Sequence, residues 1–269
     1  MANSINTNAG ALVALQNLNN TSRDLSITQN RVNTGMKVSS AKDNGAIFAI
    51  ATNQRAEMGA LDAVKQSMQR GQSIVDVALA AGETITKALE EQKSLAVAIE
   101  SSVAGSAAET AYLADFNALG NEITKALGGA TFDGVNLYSA AAADVEVKTG
   151  TGATDKFVLK ATGAATAVAT AGGAIVRAGA TATAVDTALK AFTAELGALG
   201  TKSKSLERSL TFTSKIQDSL EVGIGNLVDA DLAKESAKLT ALQTKQQLGV
   251  QALGIANQSS SILLGLFRG

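Results

Sequence analysis

Val185-Asp-Thr-Ala-Leu189-Lys-Ala-Phe192-Thr-Ala-Glu-Leu196-Gly-Ala-Leu199-Gly-Thr-Lys-Ser-Lys-Ser-Leu206-Glu-Arg-Ser-Leu210-Thr-Phe-Thr213 is the clearest stretch of this chain. Val185, Phe192, Leu199, Leu206, Thr213, Leu220 and Leu227 recur every seven residues, and Leu189, Leu196, Leu210 and Ile224 follow four residues after their partners. An apolar stripe kept over six heptads predicts one long helix with a coiled-coil seam. At Val228-Asp-Ala-Asp231 the register slips, which predicts a helix break. Leu232, Leu239, Leu242, Val250, Leu253 and Ile262 then start a new stripe that runs almost to the end of the chain, with Leu263, Leu266 and Phe267 closing it.

Moving toward the N-terminus, a second long helix is predicted after Ser39-Ser40-Ala-Lys42-Asp43-Asn44, whose side chains can accept from the free N–H groups of a helix start. Ile47, Leu61, Met68, Val75, Leu89 and Ala96 share one seven-residue register, and Ile50, Val64, Ala78, Ile85 and Ile99 lie three residues behind. Gly59, Gly71 and Gly82 weaken this helix by up to ~1 kcal/mol each, and their small size admits a close neighbour. A first helix is expected over about Ala9 to Val32, with Leu18, Leu25 and Val32 every seven and Leu12 and Leu15 filling the stripe. Thr34-Gly35 stops it. A shorter helix carries Tyr112, Phe116, Leu119, Ile123 and Leu127 on one face, and Gly128-Gly129 ends it.

The middle changes character. Thr131-Phe-Asp133-Gly134-Val-Asn-Leu-Tyr138 contains an Asp-Gly turn signal. Asp144 to Lys148 and Asp155 to Lys160 alternate apolar and polar residues around Thr149-Gly-Thr-Gly-Ala-Thr154, which predicts a hairpin. Ala161 to about Thr183 is an Ala/Thr/Gly tract read as loop or weak strands. The expected fold is mainly α, a long antiparallel helical rod or coiled-coil bundle with a small β-hairpin insertion in mid-chain.

Composition narrows the function. Aromatics are 3% of the 269 residues and Trp is absent, so the apolar content is small and aliphatic, as suits thin helical packing. Pro is absent, and with it the commonest helix breaker. The absence of His rules out Ser-His-Asp, Cys-His and HExxH chemistry, and the absence of Cys rules out thiolate ligands and disulfides. No catalytic residue, cofactor or metal site is expected. Net charge is −1 with both signs mixed, so no basic stripe invites nucleic acid. The opening Met1-Ala-Asn-Ser-Ile-Asn-Thr-Asn8 has neither a basic nor an apolar signal region, so no secretory leader is expected there. Ile262 to Phe267 is far short of the ~20 residues that span a bilayer, so no membrane insertion is expected.

Several of these segments resemble bacterial flagellin. The Ser4-Ile-Asn-Thr-Asn8 opening is similar to that family's start, and Arg31-Val-Asn-Thr-Gly35 with Ser39-Ser-Ala-Lys-Asp43 to its "RLSSG…NSAKDDAAG" region. Thr131-Phe-Asp-Gly-Val-Asn-Leu137 resembles its "TQFNGVKLL" turn, and Ala256-Asn-Gln-Ser-Ser260 through Phe267-Arg268 resembles its "IANQ…ILSLLR" ending. The likeness covers about the first 138 and last 85 residues and points to short flagellins without large outer domains. It implies that residues 1–36 and 230–269 pair as an inner coiled coil lining a channel. Residues 37–140 and 180–229 would form a helical rod domain, with 141–179 as a surface hairpin segment.

The resemblance also implies a subunit exported unfolded and polymerised with its own kind into the hollow extracellular filament used for swimming. Export apparatus, chaperone, hook-junction and cap proteins would be its partners. Filament assembly would rest on Leu12, Leu15, Leu18, Leu25, Val32, Leu232, Leu239, Leu242, Val250, Leu253, Ile262, Leu263, Leu266 and Phe267. Ser40, Lys42 and Asp43 would mark a domain junction, and Thr151, Thr162 and Thr170 could carry O-linked sugars. One departure concerns the innate-immune receptor of animals that recognises many flagellins through "LQRVREL". Here Leu89-Glu-Glu91-Gln-Lys-Ser-Leu95 puts Glu91 in place of the first Arg, which implies weak or absent activation. A hook–filament junction protein or a secreted coiled-coil effector of a related export system would share the same heptads.

Overall fold

The computed structural model describes residues 8–139, 143–160 and 175–266, with side chains as far as Gln258. Its helices are α1 (Ala9–Thr34), α2 (Gly45–Ser101), α3 (Ala107–Gly129), α4 (Ala182–Val228) and α5 (Leu232–Leu266), with strands β1 (Val145–Lys148) and β2 (Lys156–Leu159) between α3 and α4. The expected class, mainly α with one mid-chain hairpin, is what forms. Of the Ala161 to Thr183 tract, positions 161–174 lie outside the described residues, and α4 already begins at Ala182.

Each helix end follows from its local chemistry. Asn8 caps α1 by accepting from the Ala11 amide at 3.0 Å, and Gly35 ends it in the left-handed conformation at φ 70°. Asn44 caps α2, its Oδ1 accepting from the amides of Ala46 and Ile47, both at 3.1 Å. Ser106 accepts from the Glu109 amide while Glu109 reaches back to the Gly105 amide, a reciprocal cap that starts α3. That backbone hydrogen bond, with Arg177 beside it, holds the Glu109 carboxyl below its ordinary pKa. The Asp-Gly signal is a turn with both residues at positive φ, 49° at Asp133 and 77° at Gly134. Phe132 and Val135 exchange backbone hydrogen bonds across it.

The chain divides into two compact units. Unit 1 holds residues 1–56 and 219–269, and unit 2 holds residues 57–218. The divisions fall inside α2 and α4. The helix breaks nearest to them are the turn at Gly35 to Asn44 and the Val228–Leu232 step where the register slips.

In unit 2 the α2 positions Leu61, Val64, Met68, Val75, Ala78, Ile85, Leu89, Ala96 and Ile99 are all buried, as are Val185, Phe192, Leu199, Leu206 and Thr213 of α4. Phe116, Ile123 and Leu127 of α3 join the same core, whereas Tyr112, expected on that face, is exposed. Lys93 of α2 and Lys190 hold Asp186 of α4 between them, and Gln72 donates to Ser203. Tyr138, fully buried, lies 5.4 Å from the Phe192 ring and donates its hydroxyl to the Ala78 carbonyl.

Two α2 glycines are close-approach points. A Cβ at Gly82 would fall 2.1 Å from Leu196 Cδ1 and 2.7 Å from the Tyr138 hydroxyl. One at Gly71 would fall 2.5 Å from Val147 Cγ2, because the hairpin sits there with Val147 and Leu159 buried beneath it. Around a Cβ at Gly59 nothing lies within 4 Å among the described residues, so the room its small size offers is not used there. The strands pair antiparallel with Val147 opposite Phe157, as the alternation predicted.

Candidate assembly interface

Within unit 1, α1 and α5 form an antiparallel pair. At one end the Asn8 amide donates to the Ala256 carbonyl at 2.7 Å, in the middle Leu18 lies against Gly249, and at the other end Arg31 Nη1 donates to Glu235 Oε1 at 3.2 Å. The pair is anchored at the α4–α5 break. There Lys37 and Val38 donate their amides to the Val228 carbonyl, and the Ala230 amide donates to the Gly35 carbonyl at 2.8 Å.

The inward face of α1 is set by the heptad Ala11, Ala14, Leu18, Thr21, Leu25, Thr28 and Val32, each buried or half-buried. On α5 it is Glu235, Leu239, Leu242, Gln246, Gly249, Leu253 and Ala256. Both repeats advance by three and four residues, as two helices in a coiled-coil seam require. The register fixed by the three end and middle contacts sets Leu25 across from Leu242 and Thr28 across from Leu239. This seam is thin. The only fully buried residues of α1 are Thr21 and Thr28. Thr21 donates its hydroxyl to the Asn17 carbonyl, but the Thr28 hydroxyl, at 0% exposure, has no hydrogen-bond partner among the described residues. Glu235 Oε2 is buried and likewise without a partner among the described residues.

The expected stripe therefore divides. Leu18, Leu25, Val32, Leu239, Leu242 and Leu253 face the seam, whereas Leu12 and Leu15 do not fill it and point outward at 58% and 43% exposure. Leu232 and Val250 are outward too. The reason is geometric. A seam takes positions three and four residues apart, and Leu12 and Leu15 each sit one residue beyond an alanine that holds the seam position. Ile262, Leu263 and Leu266 lie in the last part of α5, past the described side chains, and Phe267 lies outside the described residues. Sequence reasoning missed the outward Val13, Ile27, Leu248 and Ile255. It also missed the two seam threonines, which the three-and-four spacing would have revealed had small and polar residues been counted.

Between α1 and α2, Asp43 organises the turn. One oxygen of its carboxylate accepts from the amides and hydroxyls of both Ser39 and Ser40, at 2.9 to 3.1 Å. These bonds, the Ser39 hydroxyl first, hold its carboxyl below the ordinary range. Asp43 lines a groove of about 430 Å³ with Arg31, Lys37, Asp231, Lys234 and Glu235, while Lys42 is exposed outside it and Ser40 is half-buried. Thr151 is exposed in the hairpin loop, whereas Thr162 and Thr170 lie outside the described residues. Among the described residues no group of acidic side chains could hold a metal ion, and no helix is long and apolar enough to cross a membrane.

The α1–α5 pair thus buries little in its own seam and displays leucines outward. The model of the bacterial flagellin N-terminal helical region matches residues 5–143, and that of the C-terminal helical region matches residues 182–267. Flagellins FljM and FljK of Caulobacter vibrioides are each 51% identical to this chain, over 99% of it and 99% of their own length. A flagellin of Brucella melitensis is 37% identical over the same shares. The chain belongs to the bacterial flagellin family, and is a structural, non-enzymatic subunit that polymerises with other flagellin subunits in the extracellular flagellar filament.

Proposed function

We propose that α1 and α5 are the assembly determinant, and that neighbouring copies complete the helix pair that one copy leaves open. The observation that carries this is the exposure of Leu12, Val13, Leu15, Ile27, Leu232, Leu248, Val250 and Ile255 around a seam that contains buried, unsatisfied oxygens. Each of these side chains is about half exposed, so covering one contributes about 1 kcal/mol of apolar burial. Eight together outweigh the cost of ordering a marginal pair in a way that its own seam does not.

In this reading residues 1–36 and 230–269 form the inner coiled coil along a channel, residues 37–140 and 180–229 the rod domain, and 141–179 a surface segment. Ser40, Lys42 and Asp43 set the turn at the junction between subunits, and the exposed Thr151 is an acceptor for O-linked sugar. The chain is exported unfolded by the flagellar apparatus, held by a chaperone beforehand, and added at the distal tip beneath a cap beyond the hook junction. A chain without Cys or Pro has no disulfide to form and no prolyl isomerisation to await on emergence.

The test is electron microscopy of heat-dissociated protein after seeding with short filament fragments, with truncations 37–269 and 1–229 beside the full chain. Long hollow filaments from the full chain and none from either truncation are expected. Truncated chains that grow normal filaments would overturn the assignment.

A further inference from the structure

Unit 2 carries a groove of about 520 Å³ between α2 and α3. Exposed Glu91, Asp115 and Glu122 stand along it above half-buried Leu95 and Leu119. Among the described residues none of these three carboxylates makes an ion pair; Lys87 and Lys125 lie a turn away and do not line the groove. Elsewhere in the same unit α4 shows the opposite surface. Lys204, Arg208, Phe212 and Lys215 follow a spacing of four, four and three, which places them on one helix face. All four are exposed, Phe212 at 65%, and none of the three cations has an ion pair among the described residues. The nearest acids on that helix, Glu207 and Asp218, each lie three residues from Lys204 and Lys215, and among the described residues neither makes an ion pair with them.

We propose that the α4 face of one copy docks in the α2–α3 groove of a second copy, with Phe212 against Leu95 and Leu119 and the three cations among Glu91, Asp115 and Glu122. The inference rests on the polymerising role and names a contact within it. Three unpaired cations around one aromatic match three unpaired carboxylates around two leucines, so charge steers and registers what the apolar contact holds. The two surfaces are different patches of the same unit, and each copy offers both. Such a contact is head-to-tail, which propagates a helical filament and does not close into a dimer.

The absence of cysteine allows a clean test. Thr211, beside Phe212, and Ala118, in the groove, are both exposed. Filaments of T211C/A118C, confirmed by electron microscopy and treated with a short bis-maleimide, should run as a ladder of covalent oligomers on a denaturing gel. T211C and A118C filaments should each stay monomeric. In parallel, Arg208→Glu should raise the critical concentration for seeded growth at least tenfold, and R208E/E122K should recover most of it. Normal filaments without a ladder, or cross-links in the single variants, would overturn this contact while leaving the polymer reading intact. Wild-type chains that fail to grow from seeds would overturn the polymer reading itself.

Discussion

Thr28→Val should tighten the terminal helix pair, and Thr21→Val should loosen it. Both threonines occupy seam positions of α1 and both are buried, so helix propensity and volume change by nearly the same amount in each. They differ in the hydroxyl. Leaving a buried hydroxyl without a partner costs about 1–3 kcal/mol, so replacing that of Thr28 by an apolar group of the same shape recovers about 1–2 kcal/mol. The hydroxyl of Thr21 donates to Asn17 at 2.9 Å, and its removal loses about 0.5–1.5 kcal/mol. A shift of 1–2 kcal/mol changes the ratio of closed to open pair by about 5- to 30-fold. Hydrogen exchange of the monomer reads this directly, because α1 and α5 amides exchange through local opening. Their protection should rise by roughly that factor in Thr28→Val and fall in Thr21→Val, with α2 and α4 amides of unit 2 unchanged. Equal responses to the two substitutions, or lower protection in Thr28→Val, would refute the assignment of Thr28 as an unsatisfied seam residue.

The glycines of α2 should separate by surroundings. Gly59→Ala should stabilise the chain by up to ~1 kcal/mol through helix propensity, whereas Gly82→Ala should destabilise it by about 1–2 kcal/mol net as Leu196 and Tyr138 are pushed aside; urea midpoints of the two variants check the opposite signs. Asp186 should matter in acid. Lys190 and then Lys93 depress its carboxyl from 3.8 to about 2, so its contribution is complete above pH 3.8 and disappears as the pH falls toward 2. Denaturation midpoints should therefore drop more steeply across that interval in the native chain than in Asp186→Asn, and parallel curves would count against the ion pair. Glu91 is exposed where the receptor motif of other flagellins carries Arg, so reporter cells for that receptor should respond weakly or not at all. A response equal to that of an enteric flagellin contradicts this reading.

Where side chains are large and the period is long, the chain announces its fold. The α2 and α4 stripes are legible because Leu, Ile, Val, Met and Phe sit at core positions over many heptads; burial follows the pattern from Leu61 to Ile99, and at Val185, Phe192, Leu199 and Leu206, with Leu189 and Leu196 half-buried beside them. The hairpin and the Asp133-Gly134 turn are legible because only certain residues tolerate those dihedrals. The terminal helices mislead for a physical reason. Their seam is built from Ala, Thr, Gly and Gln between a few leucines, so large residues do not mark the inward face. Counting leucines placed Leu12 and Leu15 in a stripe that the helix geometry assigns to Ala11 and Ala14. Gln246, a polar residue, sits half-buried in that seam.

That failure carries information about function. A chain that folds alone places its largest apolar groups inward, and the α2 positions Leu61, Met68, Val75, Ile85, Leu89 and Ile99 with Val185, Phe192, Leu199 and Leu206 of α4 do so. A chain that folds against copies of itself has two insides, and the large groups belong to the one that forms later. On α1 and α5 the seam within the copy receives small and polar residues, enough to set register through Asn8, Leu18 and Arg31 but too few to hold firmly. The leucines and isoleucines left exposed are, in the proposed reading, the ones that neighbours cover. Replacing Leu12 and Leu15 by Ser should accordingly leave monomer stability within about 0.5 kcal/mol of the native value, as expected of exposed positions. The same change should abolish seeded growth. Were monomer stability to fall by 2 kcal/mol or more, those side chains would belong to the fold of the single copy and not to the polymer.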